Sequence, residues 1–206
     1  MENLTMTGEE VRRFCSTNQR MVNFVHISVG DYCAARCCYL NGLMQQGAIL
    51  GEQAVEKILK GFLLRLNRDE KVGVKFRNHQ LVPIIDRIQE IQDAGLDKFR
   101  SVAQRLSDLY EYCRYPDPKI SFDRLSMSSE DVHELDILYF FIVQKFPIPL
   151  EIKYRTGIYA FIGEERKPPY GNPTAHWLTK DNKAFQELKG EIEQNYQRVL
   201  THIYPV

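Results

Sequence analysis

Residues 31–64 read DYCAARCCYLNGLMQQGAILGEQAVEKILKGFLL, and their spacing decides the fold class. In the second half Val55, Leu59, Phe62, Leu63 and Leu66 recur at steps of three and four. Glu52, Glu56, Lys57 and Lys60 fall largely between them, so the pattern predicts an amphipathic helix with one wet face and excludes a strand. In the first half Tyr32, Ala35, Tyr39 and Leu43 share a face, and Asp31 offers an acid near the positive end of a helix dipole. Asn41-Gly42 and Gly47 let the chain reverse between the two, which predicts a helical hairpin.

The rest of the chain repeats the helical period. Thr7-x-x-Glu10 is a capping-box pattern that opens a short N-terminal helix with Val11, Phe14 and Met21 inward. Ser28-x-x-Asp31 has the same form, and Gly30 leaves open whether two helices meet there or one kinked helix runs through. The polar stretch 66–78, with Gly73, reads as a loop. Leu81, Ile84, Ile85, Ile88 and Ile91 mark a third core helix, with Pro83 in its first turn where a missing N–H is harmless. After Ala94-Gly95, Phe99, Val102, Leu106, Leu109 and Cys113 mark a fourth that stops before Pro116. Ser128 to Asp131 caps the last core helix, carried by Val132, Leu135, Tyr139, Ile142 and Phe146. Phe185, Leu188, Ile192, Tyr196, Val199 and Ile203 form a terminal stripe that docks on the bundle or on a second copy. Between them, 150–177 is rich in proline and aromatics, and Ile158 to Ile162 reads equally as a short strand pair or a packed loop. The expected fold is all-α: an up-and-down antiparallel bundle over 18–147, preceded by an N-terminal helix in 1–17 and followed by a loop and helical extension in 148–206.

Composition narrows the chemistry. Lysine plus arginine equals aspartate plus glutamate at 27 each, so no global field draws the chain to nucleic acid or an anionic surface, and any anion site is local. Five cysteines without a Cys-x-x-Cys pair argue against a disulfide framework or a zinc knuckle; Cys33 and Cys37, one turn apart, read as small packing residues. The charged N-terminus lacks a signal peptide's apolar run, and no stretch has the roughly eighteen apolar residues of a membrane span. A reducing, cytoplasmic setting follows. Walker, GxGxxG, HExxH and GxSxG patterns are absent, and neither a cofactor nor a metal is expected.

Four pieces of wording resemble the HEPN family in that family's order across 18–147. They are Asp31 with Ala35-Arg36 and Gly42, then Gln53-Ala54-Val55-Glu56-Lys57-Ile58-Leu59-Lys60, then His79-Gln80-Leu81 with Gln where the family has Asp, and Arg114-Tyr115-Pro116-Asp117. The resemblance implies a nucleotide- or RNA-associated module. It also implies a homodimer, with a minimal nucleotidyltransferase as a potential partner in a toxin-antitoxin or stress-response pair.

Many members of the family are metal-independent ribonucleases that place a His about four to six residues after an Arg, near the last core helix. Arg can stabilise charge at phosphorus while His moves the proton of the attacking 2′-hydroxyl. Here His133 follows Arg124 by nine positions, and the Arg20–His26 pair precedes the first core helix with apolar Met21 after the Arg. The leading expectation is therefore a binding module without its own nuclease motif. The alternatives are a divergent ribonuclease using Arg114 with His79 or His133 brought near in space, and a purely structural dimerisation protein. Candidate ligand-binding residues are Arg114 and Tyr115 beside the Tyr-Pro turn, His79 at a helix start, and the local basic excess of Lys57, Lys60 and Arg77. Each has a plainer reading: a loop-pinning ion pair for Arg114, a cap for His79, a solvated face for the basic run.

Overall fold

A computed structural model of the chain describes residues 6–76, 79–115, 128–156, 177 and 179–203, and among them there are helices and no strands. Helix α1 is Gly8–Thr17, and the expected capping box is formed: Thr7 Oγ1 accepts from Glu10 N at 3.3 Å while the Glu10 carboxylate accepts from Thr7 N at 2.7 Å. Helix α2 (Gln19–Leu40) passes through Gly30 without a break. Ser28 is not a cap. It is buried, donates to the Ala54 carbonyl at 2.7 Å and shares a hydrogen bond with Tyr139 Oη at 2.9 Å, so neighbouring helices take up the hydroxyl that would otherwise compete for the backbone.

Gly42, at φ +77°, turns the chain into α3 (Met44–Leu66), completing the hairpin. The stretch expected to be a loop holds one short helix, α4 (Val72–Lys75). Then come α5 (Leu81–Ile91), a 3-10 turn at Asp97–Phe99, α6 (Arg100–Arg114) and α7 (Ser129–Lys145), the last capped by a second box between Ser128 and Asp131. Helices α8 (Leu150–Thr156) and α9 (Lys183–Ile203) complete the described elements.

Helix α3 is the axis of the bundle, with α2, α5, α6 and α7 all packed on it. This overturns its expected wet face: Glu52, Glu56 and Lys60 are buried, because helices surround the positions that a two-helix hairpin would leave in water. Small residues permit that enclosure. A Cβ on Gly47 would stand 2.4 Å from the Tyr39 ring and one on Gly51 2.9 Å from Leu135, so the pair one turn apart lets α2 and α7 close on α3.

Helix α9 packs on α7 and α8 of its own chain, with the Phe185 ring centroid 5.8 Å from that of Phe140. Cys33 is a packing residue as expected, its thiol pushed up to about 12 by burial. Ile158 to Ile162 lies outside the described residues. No described helix is long and apolar enough to cross a membrane.

Candidate functional site

Near the middle of α3 and the last turns of α6, polar groups from three elements converge on the bundle axis. Glu52 and Glu56 lie one turn apart on α3. His79, just ahead of α5, is held at φ 51°, a left-handed conformation uncommon outside glycine. It stays there because its surroundings grip it from both sides. Its Nδ1 is 3.0 Å from Glu56 Oε2, its ring centroid is 4.8 Å from that of Tyr110 on α6, and nearby Leu81 N donates to Ser107 Oγ at 3.1 Å. Lys60, a further turn along α3, donates to Glu56 Oε1.

Glu52 is the unsatisfied member. It is fully buried, and neither carboxylate oxygen has a hydrogen-bond partner. Burial first, and then the neighbouring Glu56, push its pKa up to about 9, against the lowering pull of Lys60 and Lys57. At neutral pH the side chain therefore keeps its proton. Donor atoms of Glu52, Glu56 and His79 all lie within 4.8 Å of one another, close enough to enclose a cation.

Tyr110 links this cluster to the surface. Arg114 donates to the Tyr110 hydroxyl, and its guanidinium stands 5.6 Å from the ring centroids of both Tyr110 and Tyr115. The hydrogen bond to Tyr110 raises the already high Arg114 pKa, so its charge is permanent. No carboxylate among the described residues forms an ion pair with Arg114, and Tyr115 is 63% exposed.

Of the residues singled out from sequence, His79 and the Arg114–Tyr115 pair are thus linked through Tyr110, which contacts both His79 and Arg114. Lys57 and Lys60 pair instead with Asp31 and Glu56, and Lys60 is buried. Arg77 and Arg124 lie outside the described residues. Arg20 belongs to the α1–α2 corner, where it lines a cavity of about 120 Å³ with Thr17, Asn18, Met21, Leu64 and Arg68. Tyr110 was missed because it reads as one more apolar position on α6. Glu52 and Glu56 were misread as solvent-facing. Beyond the place of Glu56 in the family wording, their signal was the four-residue step Glu52, Glu56, Lys60 inside a helix otherwise rich in apolar residues.

A second buried polar cluster lies on the α2–α7 side. Arg36 pairs with Asp136 and donates to the carbonyls of Trp177, at 2.8 Å, and Lys180. Tyr32 Oη donates to Asp136 at 2.5 Å and accepts from Asn182 Nδ2 at 3.0 Å. Burial raises the Asp136 carboxyl above the ordinary aspartate value, while the Arg36 guanidinium and the Tyr32 hydroxyl draw it back down. The Tyr32 ring stacks on Tyr139 at 4.1 Å. These contacts tie the segment leading into α9 to the bundle.

A family model described as HEPN domain matches residues 23–135, more than half of the chain. The match runs from within α2 to the middle of α7 and includes both charged clusters except Asp136 and the α9 segment. Comparison with curated proteins and with solved structures gives no match.

Proposed function

The chain belongs to the HEPN domain family, which is generally nucleotide- and RNA-related, and from that premise we propose that it is a non-catalytic module that binds RNA or a nucleotide at Arg114, Tyr110 and Tyr115. One observation carries the reading: a permanently charged guanidinium, without a carboxylate partner among the described residues, sits over two tyrosine rings, one of them largely open to solvent. Such a group can fork onto phosphate while the adjacent ring offers a face to a base. HEPN domains often dimerise, and the proposal includes a homodimer and a small nucleotidyltransferase as its partner in a toxin-antitoxin or stress-response pair.

Fluorescence anisotropy with labelled single-stranded RNA tests it. Arg114→Ala should weaken binding by roughly tenfold or more, as expected for lost hydrogen bonds to a charged group of about 1.5–3 kcal/mol, and Arg114→Lys should recover part of it. Equal affinity in Arg114→Ala and the parent protein would end the proposal.

A second reading has its own support, since Tyr110 brings His79 and Arg114 to one place although they are far apart in sequence. In that reading His79, backed by Glu56, takes a proton and Arg114 stabilises the phosphorane charge. RNA cleavage that survives EDTA and vanishes in Arg114→Ala and His79→Asn would replace the binding-module reading with this one.

A further inference from the structure

We propose that Glu52, Glu56 and His79 form a site for one divalent transition-metal ion of the manganese-to-zinc range. This goes beyond the RNA-binding reading and does not depend on it. The geometry supplies three donors from two elements: carboxylates one turn apart on α3, and an imidazole from the residue pair that leads into α5. Their donor atoms lie within 4.8 Å of one another. Around a tetrahedral ion with ligand distances of about 2.0–2.2 Å, donor atoms stand about 3.4 Å apart, so modest side-chain movement closes the set.

The second, independent observation is Glu52 itself. A carboxyl group wholly removed from solvent with both oxygens unpartnered is costly to keep, and native cores rarely retain one without a use. Its neighbours are already arranged as a ligand shell. Lys60 occupies Glu56 Oε1 and leaves Oε2 facing His79, in the manner of an outer-shell group that orients a ligating oxygen. Tyr110 packs on the imidazole, whose Nδ1 faces Glu56 on α3 while the ring stays partly exposed.

Donor chemistry selects the class of ion. Two carboxylates and one imidazole nitrogen suit manganese, iron, cobalt or zinc; magnesium and calcium favour all-oxygen shells. The charges also balance, because Glu52 and Glu56 offset the ion while Lys60 remains on the outer oxygen. A ligating carboxyl binds in its ionised form, so a proton held by Glu52 leaves to solvent as its oxygen lone pair coordinates the ion. Coordination through Nδ1 gives up the hydrogen bond to Glu56, and the ring proton is then carried on Nε2 after exchange with solvent.

Calorimetry on the full-length protein, stripped with EDTA and dialysed free of it, tests the site with ZnCl2 and MnCl2. The expected result is one ion per chain, with affinity reduced at least tenfold in both Glu52→Gln and His79→Asn. Glu52→Gln replaces a neutral acid by a neutral amide, and circular dichroism checks its fold. Either of two results overturns the assignment: no saturable binding in the parent protein, or undiminished binding in Glu52→Gln. Should His79→Asn fail to fold, Co2+ substitution decides in its place. A thiolate-to-cobalt charge-transfer band would put the ion on cysteine and refute the site, and its absence together with the Glu52→Gln loss would support it.

Discussion

The two buried charged clusters on either side of the axis helix differ in one respect, which separates a structural group from a reactive one. Around Asp136 both carboxylate oxygens are engaged, and Arg36 bonds three different acceptors, two of them carbonyls of the segment entering α9. Around Glu56 the engagement is one-sided. Lys60 and His79 satisfy that carboxylate, whereas Glu52, a turn away, has no partner. A fully compensated ion pair is stable only as a whole, so removing one member strands the other. An unpartnered carboxyl can escape only by keeping a proton or by acquiring a cation.

The comparison breaks most decisively at Arg36. Arg36→Leu leaves Asp136 as a lone charge in the core and should lower stability by about 3–5 kcal/mol in urea titration, with Asp136→Ala close behind. A loss below about 1 kcal/mol in both would show that the network does not hold α9 to the bundle.

Glu52→Gln should act in the opposite direction, and its effect should depend on pH. The folded pKa of Glu52 is raised to about 9 from an ordinary value of 4.5. Below pH 4.5 both folded and unfolded chains carry the proton, and the group contributes nothing to stability. Between these values the folded state holds a proton that the unfolded chain has released, so stability falls as pH rises, by up to about 1.4 kcal/mol per pH unit. The charged and titratable groups around Glu52 are Glu56, Lys60, Lys57 and Glu111, together with His79 from the segment before α5. With chelator present, Glu52→Gln should nearly match the parent at pH 4.5 and exceed it by up to about 5 kcal/mol at pH 8, as read from paired denaturation curves. A parallel pH profile for the two proteins would mean that Glu52 is solvated after all.

Ser28 sharpens the contrast at the small end. It is a buried neutral group with every bond made, to Ala54 and Tyr139. Ser28→Ala should therefore cost only about 1–2 kcal/mol with no pH dependence. A pH-dependent loss would tie Ser28 to one of the charged clusters.

Legibility from sequence followed the physics of periodicity. Val55, Leu59, Phe62 and Leu63 announced α3, and the Thr7 and Ser128 caps announced the starts of α1 and α7, because helix formation and capping are settled within a few neighbouring residues. The same local logic misplaced Ser28, whose hydroxyl is satisfied by residues 26 and 111 positions away. In the candidate site, Arg114, Tyr115 and His79 stood out as charged or aromatic residues beside breaks in the pattern. Tyr110 did not: its i,i+4 step to Arg114 is local, but nothing in its own helix indicates that it also packs on His79, 31 residues away.

Local sequence alone determined that the chain is helical, where α2 and α3 reverse at Gly42, and which family wording it carries, since each depends on side chains within a turn or two of one another. Only the tertiary structure decided that α3 is enclosed by four helices. That enclosure alone turned Glu52, Glu56 and Lys60 from a wet face into a buried cluster, and it joined Arg36 to an aspartate 100 residues away. The reason is dielectric: a carboxylate's pKa, its partners and its use follow from how much water remains around it, and that is fixed by packing between elements distant in sequence.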